Sequence, residues 1–214
     1  MAKFNEKNFG NPSGKAYTIE ELLSEGEQLL WRGKPNRKAY ILSQVFRMLP
    51  FALLWLLVDG FMIGMMIRTE AFSQMGVFVV VIIVFFAFHL IPVWIWLSNV
   101  ITAGARHKNI EYAFTNTRII IRSGLIGIDI VNLYYADVSN VNLKVGLTDR
   151  IMHVGDVYIS GIGKAQVLWD IDNPYEVVAK LQKIVNDIKT DTFYPNNLRP
   201  GTNDGYQTKY TGRP

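Results

Sequence analysis

Two residues stand out chemically because of where they lie. Asp59 is the single charged residue between Met48 and Ile67, and His89 falls in a run from Gly76 to Gly104 that holds no Asp, Glu, Lys or Arg. An ionisable group inside an apolar span is costly to charge, which makes it a functional candidate by default. Counted from the link between the runs, Asp59 lies 8 residues back from Ile67 and His89 lies 12 forward from Val77. At a 1.5 Å rise they are offset by about 6 Å along a helical pair, close enough to approach without being forced to. A proton relay is the sharp reading. The expected one is a neutral Asp59 bonded to a neighbouring helix or facing an oligomer interface.

Other chemistry is thin. The chain has no cysteine, which excludes disulfides, thiolate metal sites and cysteine nucleophiles. His89, His107 and His153 never fall at metal-ligand spacing, so no metal is expected. No Gly-rich phosphate loop, nucleophile elbow or acid/base constellation occurs. Gly161-Ile-Gly163 lacks the third glycine of a dinucleotide fingerprint and is read as a turn. The expectation is a protein without catalytic residues or cofactors.

The two charge-poor runs must be the elements that place Asp59 and His89. A bilayer core about 30 Å thick takes roughly 20 apolar residues of helix. Met48–Ile67 and Val77–Leu97 both meet that length, and the short link from Arg68 to Gly76 makes them an antiparallel hairpin. Arg32, Lys34, Arg37, Lys38 and Arg47 precede the first span, and Arg106 and Lys108 follow the second. The link carries only Arg68, offset by Glu70. Basic flanks stay on the cytoplasmic side, so a multi-pass protein of the cell's inner membrane with both termini cytoplasmic is expected. No signal peptide opens the polar first 44 residues, and the first run would act as an uncleaved anchor.

The same seven basic residues are candidates for phospholipid headgroup contact, since anionic leaflets attract cations beside a span. Gly60 and Gly64 form a GxxxG pair that lets helix backbones approach. Packing within the hairpin is its expected use, and dimerisation between chains the alternative. Pro50 and Pro92 would kink or start helices.

From Asn109 the pattern changes to short apolar runs: Asn109–Thr115 and Arg118–Ser123 about an Asn116-Thr117 turn, then Asp129–Tyr135, Asn140–Val145, Val157–Ser160 and Ala165–Trp169. One helix follows, started by Pro174, with Val177, Val178, Leu181, Ile184, Val185 and Ile188 at helical spacing. Upstream, Thr18 and Glu21 form a capping box before Leu22, Leu23, Leu29 and Leu30, predicting a short acidic helix packed on the strand-rich module.

Tyr112-Ala-Phe-Thr115-Asn-Thr-Arg118, with the apolar strand and Gly124 after it, resembles the opening signature of the bacterial pleckstrin-homology (PH) domain of membrane proteins. Leu133–Val145, Gly155-Asp-Val-Tyr-Ile-Ser, the Asn-Pro-Tyr-Glu-Val helix start and Gly26–Pro35 are similar to that family as well. Where the family often has Leu-x-Arg-Leu-x-Gly, this chain has Gly146–Gly155. The resemblance implies a seven-stranded, PH-like split β-barrel capped by a C-terminal α-helix and tethered by two transmembrane helices, an α+β membrane protein. It brings no catalytic residues. Phosphoinositide-binding PH domains use a basic first hairpin loop; the loop identified here, Asn116-Thr117, is short and neutral, so phosphate specificity is not expected. Arg118 and Arg122 are read as exposed arginines or structural ion pairs.

The predicted organisation is a cytoplasmic segment with a short helix over 1–44, the transmembrane hairpin over 45–104, the PH-like domain over 105–189 and a flexible tail over 190–214. The expected function is a membrane-anchored interaction module whose partners are the lipid bilayer, an unidentified protein or a second copy of the chain. Nucleic acid is not expected, because the excess of basic residues gathers beside the spans rather than in a patch. The rival is an oligomeric transport or channel-like component built on Asp59 and His89.

Overall fold

The computed structural model describes residues 18–193. Strand β1 (Leu29–Gly33) comes first, followed by a long helix α1 (Arg37–Arg68) and a single turn α2 (Ala71–Gln74). Helices α3 (Phe78–His89) and α4 (Ile91–Asn109) lead into β2 (Glu111–Thr115), β3 (Arg118–Ser123), β4 (Asp129–Tyr134) and β5 (Val138–Lys144). A six-residue helix α5 (Leu147–Met152), β6 (Val154–Gly161), β7 (Gln166–Asp172) and α6 (Pro174–Phe193) complete the chain.

The strands form two antiparallel sheets, β1-β2-β3-β4 and β5-β6-β7. Alternation along the strands decides which residues face inward. Tyr112 and Phe114 of β2 point into one core with Ile159, Leu168 and Leu181, so α6 closes the space between the sheets. Ala113, the residue between them, faces the other way and is covered by Ile19 and Ile120. That is why all five residues of β2 are buried.

The seventh strand is not in the 105–189 segment. It is β1, from before the helices, paired with β2 through Arg32↔Ala113 and Gly33↔Tyr112. The helix expected after Thr18 is a 3₁₀ turn over Glu20–Leu22, packed on the barrel as foreseen. Gly26 (φ +80°) then reverses the chain and Leu29–Gly33 becomes a strand. Pairing with β2 overrides the helical signal of the leucines.

The charge-poor runs both become helical, but not alike. Helix α1 is long and apolar enough to cross a membrane, and it runs through Pro50 unbroken. The second run, expected as one span over Val77–Leu97, is broken at Leu90, where α3 and α4 meet at 50°; only taken together are they long and apolar enough to cross a membrane. Pro92 accounts for the break: it lacks an N–H and clashes with the preceding turn, so it sits in the first turn of α4 instead of inside one helix.

Two further differences lie in the barrel. Gly146–Gly155 contains α5, started by Gly146 N–H donating to Asp149 Oδ2 at 2.8 Å. Helix α6 runs to Phe193, beyond its expected end near 189. The tail expected from there on lies, after Phe193, outside the described residues.

Candidate functional site

Helix α1 is fastened to β7 at its first turn. Asn36 caps the helix, its Oδ1 accepting from Lys38 N (3.1 Å) and Ala39 N (3.2 Å). Its Nδ2 donates to Asp172 Oδ1 at 3.0 Å, and its backbone N–H donates to the Asp170 carbonyl at 2.8 Å. Helix α4 is fastened to the same root: His107 Nε2 donates to the Pro35 carbonyl at 2.8 Å. Further along, Trp96 Nε1 donates to the Val45 carbonyl at 2.9 Å, pinning α4 to α1. The helices therefore leave the barrel as one pair with a fixed direction.

A cavity of about 510 Å³ opens between these helix roots and the barrel. Tyr40 of α1 and Arg106 of α4 form one wall, Ser123–Leu125 of the β3–β4 turn a second, and Lys164–Val167 with Trp169 a third. The lining holds two cations and no carboxylate. Arg47 lies over the Trp169 ring at 5.1 Å, a cation–π distance. Burial pushes the Tyr40 hydroxyl up from its ordinary value, against the pull of Arg106 and Arg47.

Behind Trp169 sits a small acidic group. Asp170 is pushed up to about 7, chiefly by burial and then by Asp156 and Asp149, while Ser43 and Arg47 act in the other direction. Burial likewise raises Asp156, whose Oδ1 accepts from Asp170 N–H at 3.0 Å.

The seven basic candidates divide by partner. Arg32 donates to Glu111 and pairs with Glu20 at 2.5 Å, and Lys34 lies 3.9 Å from Glu111. These two belong to a structural network on a carboxylate only 3% exposed, while their own side chains stay 43% and 50% exposed. Arg37, Lys38 and Lys108 are exposed, Arg47 rests on Trp169, and Arg106 lines the cavity. Lys164 and Trp169 were not foreseen. Nothing in their local sequence marks them, since Lys164 reaches the helix roots through the β6–β7 turn and Trp169 through β7.

In the apolar segment, His89 Nδ1 and Asp59 Oδ1 lie 2.8 Å apart. The imidazole stacks on Trp55 (5.8 Å, 28°) and Phe85 (5.3 Å, 18°). Asp59 is 2% exposed, and its Oδ2 has no hydrogen-bond partner among the described residues. The break at Leu90 places His89 at the end of α3, facing α1. The expectation for Gly60 and Gly64 needs correction: a Cβ added at either would meet nothing within 4 Å, so this pair does not pack inside the hairpin. Both lie on an open face of α1.

The Tyr-x-x-Thr-x-x-Arg signature is an anchoring device. Arg118 Nε and Nη2 donate to Glu27 Oε1 (3.0 Å) and Oε2 (2.9 Å), and the Thr115 hydroxyl donates to Oε1 at 2.7 Å. These donors hold the Glu27 carboxyl at about 2 despite the cost of burial. Tyr112 Oη accepts from Trp169 N–H at 3.0 Å, tying one sheet to the other. Arg122 lies 3.7 Å from Glu111. Both arginines of β3 are in ion pairs.

The first hairpin connection also needs correction. Because β1 precedes the helices, the link from β1 to β2 is the whole helical segment from Lys34 to Ile110, and Asn116-Thr117 is the second hairpin turn.

No match was found among curated proteins. A crystal structure of a DUF1696 family protein with a pleckstrin-homology domain, from Shewanella loihica PV-4, is 16% identical and aligns over 38% of this chain and 72% of that one, with a TM-score of 0.30. That likeness is too slight to build on. The bacterial PH domain family matches residues 46–189, more than half of the sequence. With its two antiparallel sheets and closing helix, the chain belongs to the bacterial PH domain family.

Proposed function

We propose that this protein is a non-enzymatic, membrane-anchored PH protein that presents its barrel at the cytoplasmic face of the inner membrane as an interaction module for another protein or a second copy of itself. The observation that carries this is where the apolar surface lies. Leu57, Phe61 and Phe78 are each about 70% exposed, on helices that occupy the β1–β2 connection. Contiguous apolar surface of this extent is unfavourable in water and is what a bilayer covers. Fastening α1 and α4 to β7 and Pro35 gives the barrel a set orientation on such an anchor. The basic residues Arg37, Lys38, Arg47, Arg106 and Lys108 favour a cytoplasmic barrel.

Fractionation and crosslinking in intact cells test this. The chain is expected in the membrane pellet, resistant to alkaline carbonate, with a crosslinked species above monomer. Release by carbonate overturns the anchoring. A membrane-bound chain that stays monomeric and recovers no partner above background overturns the interaction role.

One observation favours the oligomeric transport or channel-like reading: the 2.8 Å approach of His89 to Asp59. Two spans cannot enclose a pore alone, so that reading requires assembly. A strict monomer in mild detergent removes it.

A further inference from the structure

Strand β7 is irregular where helix α1 lies on it. Between the pairs Gly155↔Ile171 and Val157↔Leu168, Trp169 and Asp170 stand opposite the single residue Asp156 of β6. This is a β-bulge, a device that re-aims side chains. Asp170 adopts a left-handed backbone conformation there, with φ +49°. The outcome is a buried meeting point of three elements. Asp170 is 2% exposed, its carbonyl accepts from Asn36 N–H, and its N–H donates to Asp156 Oδ1. Its Oδ2 lies 3.4 Å from Ser43 Oγ of α1, and one turn further on Arg47 covers the Trp169 ring.

The Ser43 hydroxyl has one hydrogen, and the Tyr40 carbonyl, 2.9 Å away, accepts it. What the hydroxyl then offers Asp170 is a lone pair, which suits a protonated carboxyl that donates. An ionised Asp170 has to draw that hydrogen away from Tyr40 across 3.4 Å. It also faces Asp156 of β6 and Asp149 of α5. Arg47 opposes them, but from over the Trp169 ring and in no salt bridge among the described residues. Burial raises the two other ionisable neighbours, Tyr40 of α1 and Tyr112 of β2, and so keeps them uncharged. Lys144 of β5 acts on Asp156. Asp170 itself, at about 7, exchanges its proton near neutrality.

The bonds at the helix roots do not use the Asp170 side chain. Asn36 Nδ2 holds Asp172, and His107 holds the Pro35 carbonyl. From Asn36 to Ser43 is about 10 Å along the helix, so a fixed root and a releasable contact are set apart on one element.

We propose that Asp170 is a proton-operated latch between the barrel and the helical pair. Protonated, it bonds Ser43 and holds α1 along β7 as far as Arg47. Ionised, it releases the Ser43–Arg47 stretch while the root bonds persist, and the barrel changes its tilt relative to the helices. The latch needs no bilayer and is independent of the anchoring proposed above. On a membrane anchor it makes the presentation of the barrel depend on pH.

The chain has no cysteine, so one spin-label pair can read the tilt: Gln74→Cys at the end of α2 and Lys183→Cys on α6, both exposed. The full-length protein in detergent is measured by pulsed dipolar spectroscopy at about pH 5.5 and about pH 8.5, on either side of the Asp170 value. The distance is expected to be narrow at the lower pH and to lengthen or broaden at the higher. Asp170→Asn stays neutral, tolerates the positive φ and can still donate to Ser43, so it should keep the low-pH distance at both. Asp156→Asn keeps the acceptor for Asp170 N–H and removes a repelling charge, so it should shrink the change. A wild-type distance that does not respond to pH overturns the latch. So does a response that persists in Asp170→Asn, which would belong to another group such as His107 at the same root. Should Asp170→Asn fail to fold, Asp156→Asn decides, and an undiminished response there overturns the proposal.

Discussion

Arg118 on β3 grips Glu27, 91 residues earlier, through both Nε (3.0 Å) and Nη2 (2.9 Å). The Glu27 side chain is 1% exposed and also accepts from the Thr115 and Thr117 hydroxyls and from Ser24 N–H. This bond fastens the segment that leads into β1, and hence the fourth strand of the sheet from which the helices depart.

The first prediction follows from that carboxylate. Its value in the fold, about 2, lies below its ordinary 4.5, so its contribution is fully present above pH 4.5 and is lost as pH falls toward 2. Glu27→Gln should cost about 2–3 kcal/mol at pH 7 and progressively less below pH 4.5. Thermal unfolding in detergent, followed by tryptophan emission, gives both numbers. Equal loss at pH 3 and pH 7 would show that charge is not what holds the segment.

Asp170 should behave in the opposite sense. Its carboxyl is raised from 3.8 to about 7, so folding favours the protonated form. Its contribution is fully present below pH 3.8 and is lost as pH rises through 7. Asp170→Asn removes the charge penalty, and asparagine tolerates the positive φ of +49° found here. The variant should be more stable than wild type by about 2 kcal/mol at pH 8, with the gap closing at pH 4. The same unfolding experiment, run at both pH values, reads the crossover.

The Asp59–His89 pair predicts a coupling. Removing either partner leaves the other's polar atom unpaired in an apolar setting, whereas replacing both with apolar groups of similar size need not. Asp59→Leu and His89→Phe should each destabilise the helical segment by about 1–2 kcal/mol, and the double variant should recover most of the loss. Unfolding in mixed micelles completes the cycle. Additive losses would show that the 2.8 Å contact contributes no stability.

The parts legible in the sequence were those set by local pattern. The strands after residue 109 followed from β-rich runs between turn residues, and α6 from Pro174 and its apolar stripe. The apolar runs announced helices, but the break at Leu90 depended on how Pro92 resolved between kinking one helix and starting another. Strand β1 was missed because Leu22, Leu23, Leu29 and Leu30 carry a helical signal that only long-range pairing with β2 reverses. The site suffered in the same way. Arg47 and Arg106 were visible as flanking cations, while Lys164 enters it through the β6–β7 turn and Trp169 through β7, and Arg32 and Lys34 lie outside its lining, beside Glu111. Spacing along a chain carries no information about which of several arginines a buried carboxylate will hold.

Tyr112 yields the last prediction. Its ring is 1% exposed, burial keeps its hydroxyl protonated, and its Oη accepts from Trp169 N–H at 3.0 Å. Trp169 carries Arg47 on its ring face and forms a wall of the cavity beside the helix roots. Tyr112→Phe preserves the packing volume and leaves one buried amide without its acceptor, which costs about 1–3 kcal/mol. Because β6 pairs with β7 on the far side, the loss should be confined to the seam between the sheets. Amide exchange at Trp169 should speed up by at least tenfold in the phenylalanine variant, with exchange at Ile159 of β6 changed no more than global stability requires. Uniform acceleration across both sheets would mean that Tyr112 supports the whole barrel, and an unchanged Trp169 rate would mean that the hydroxyl does not bridge the sheets.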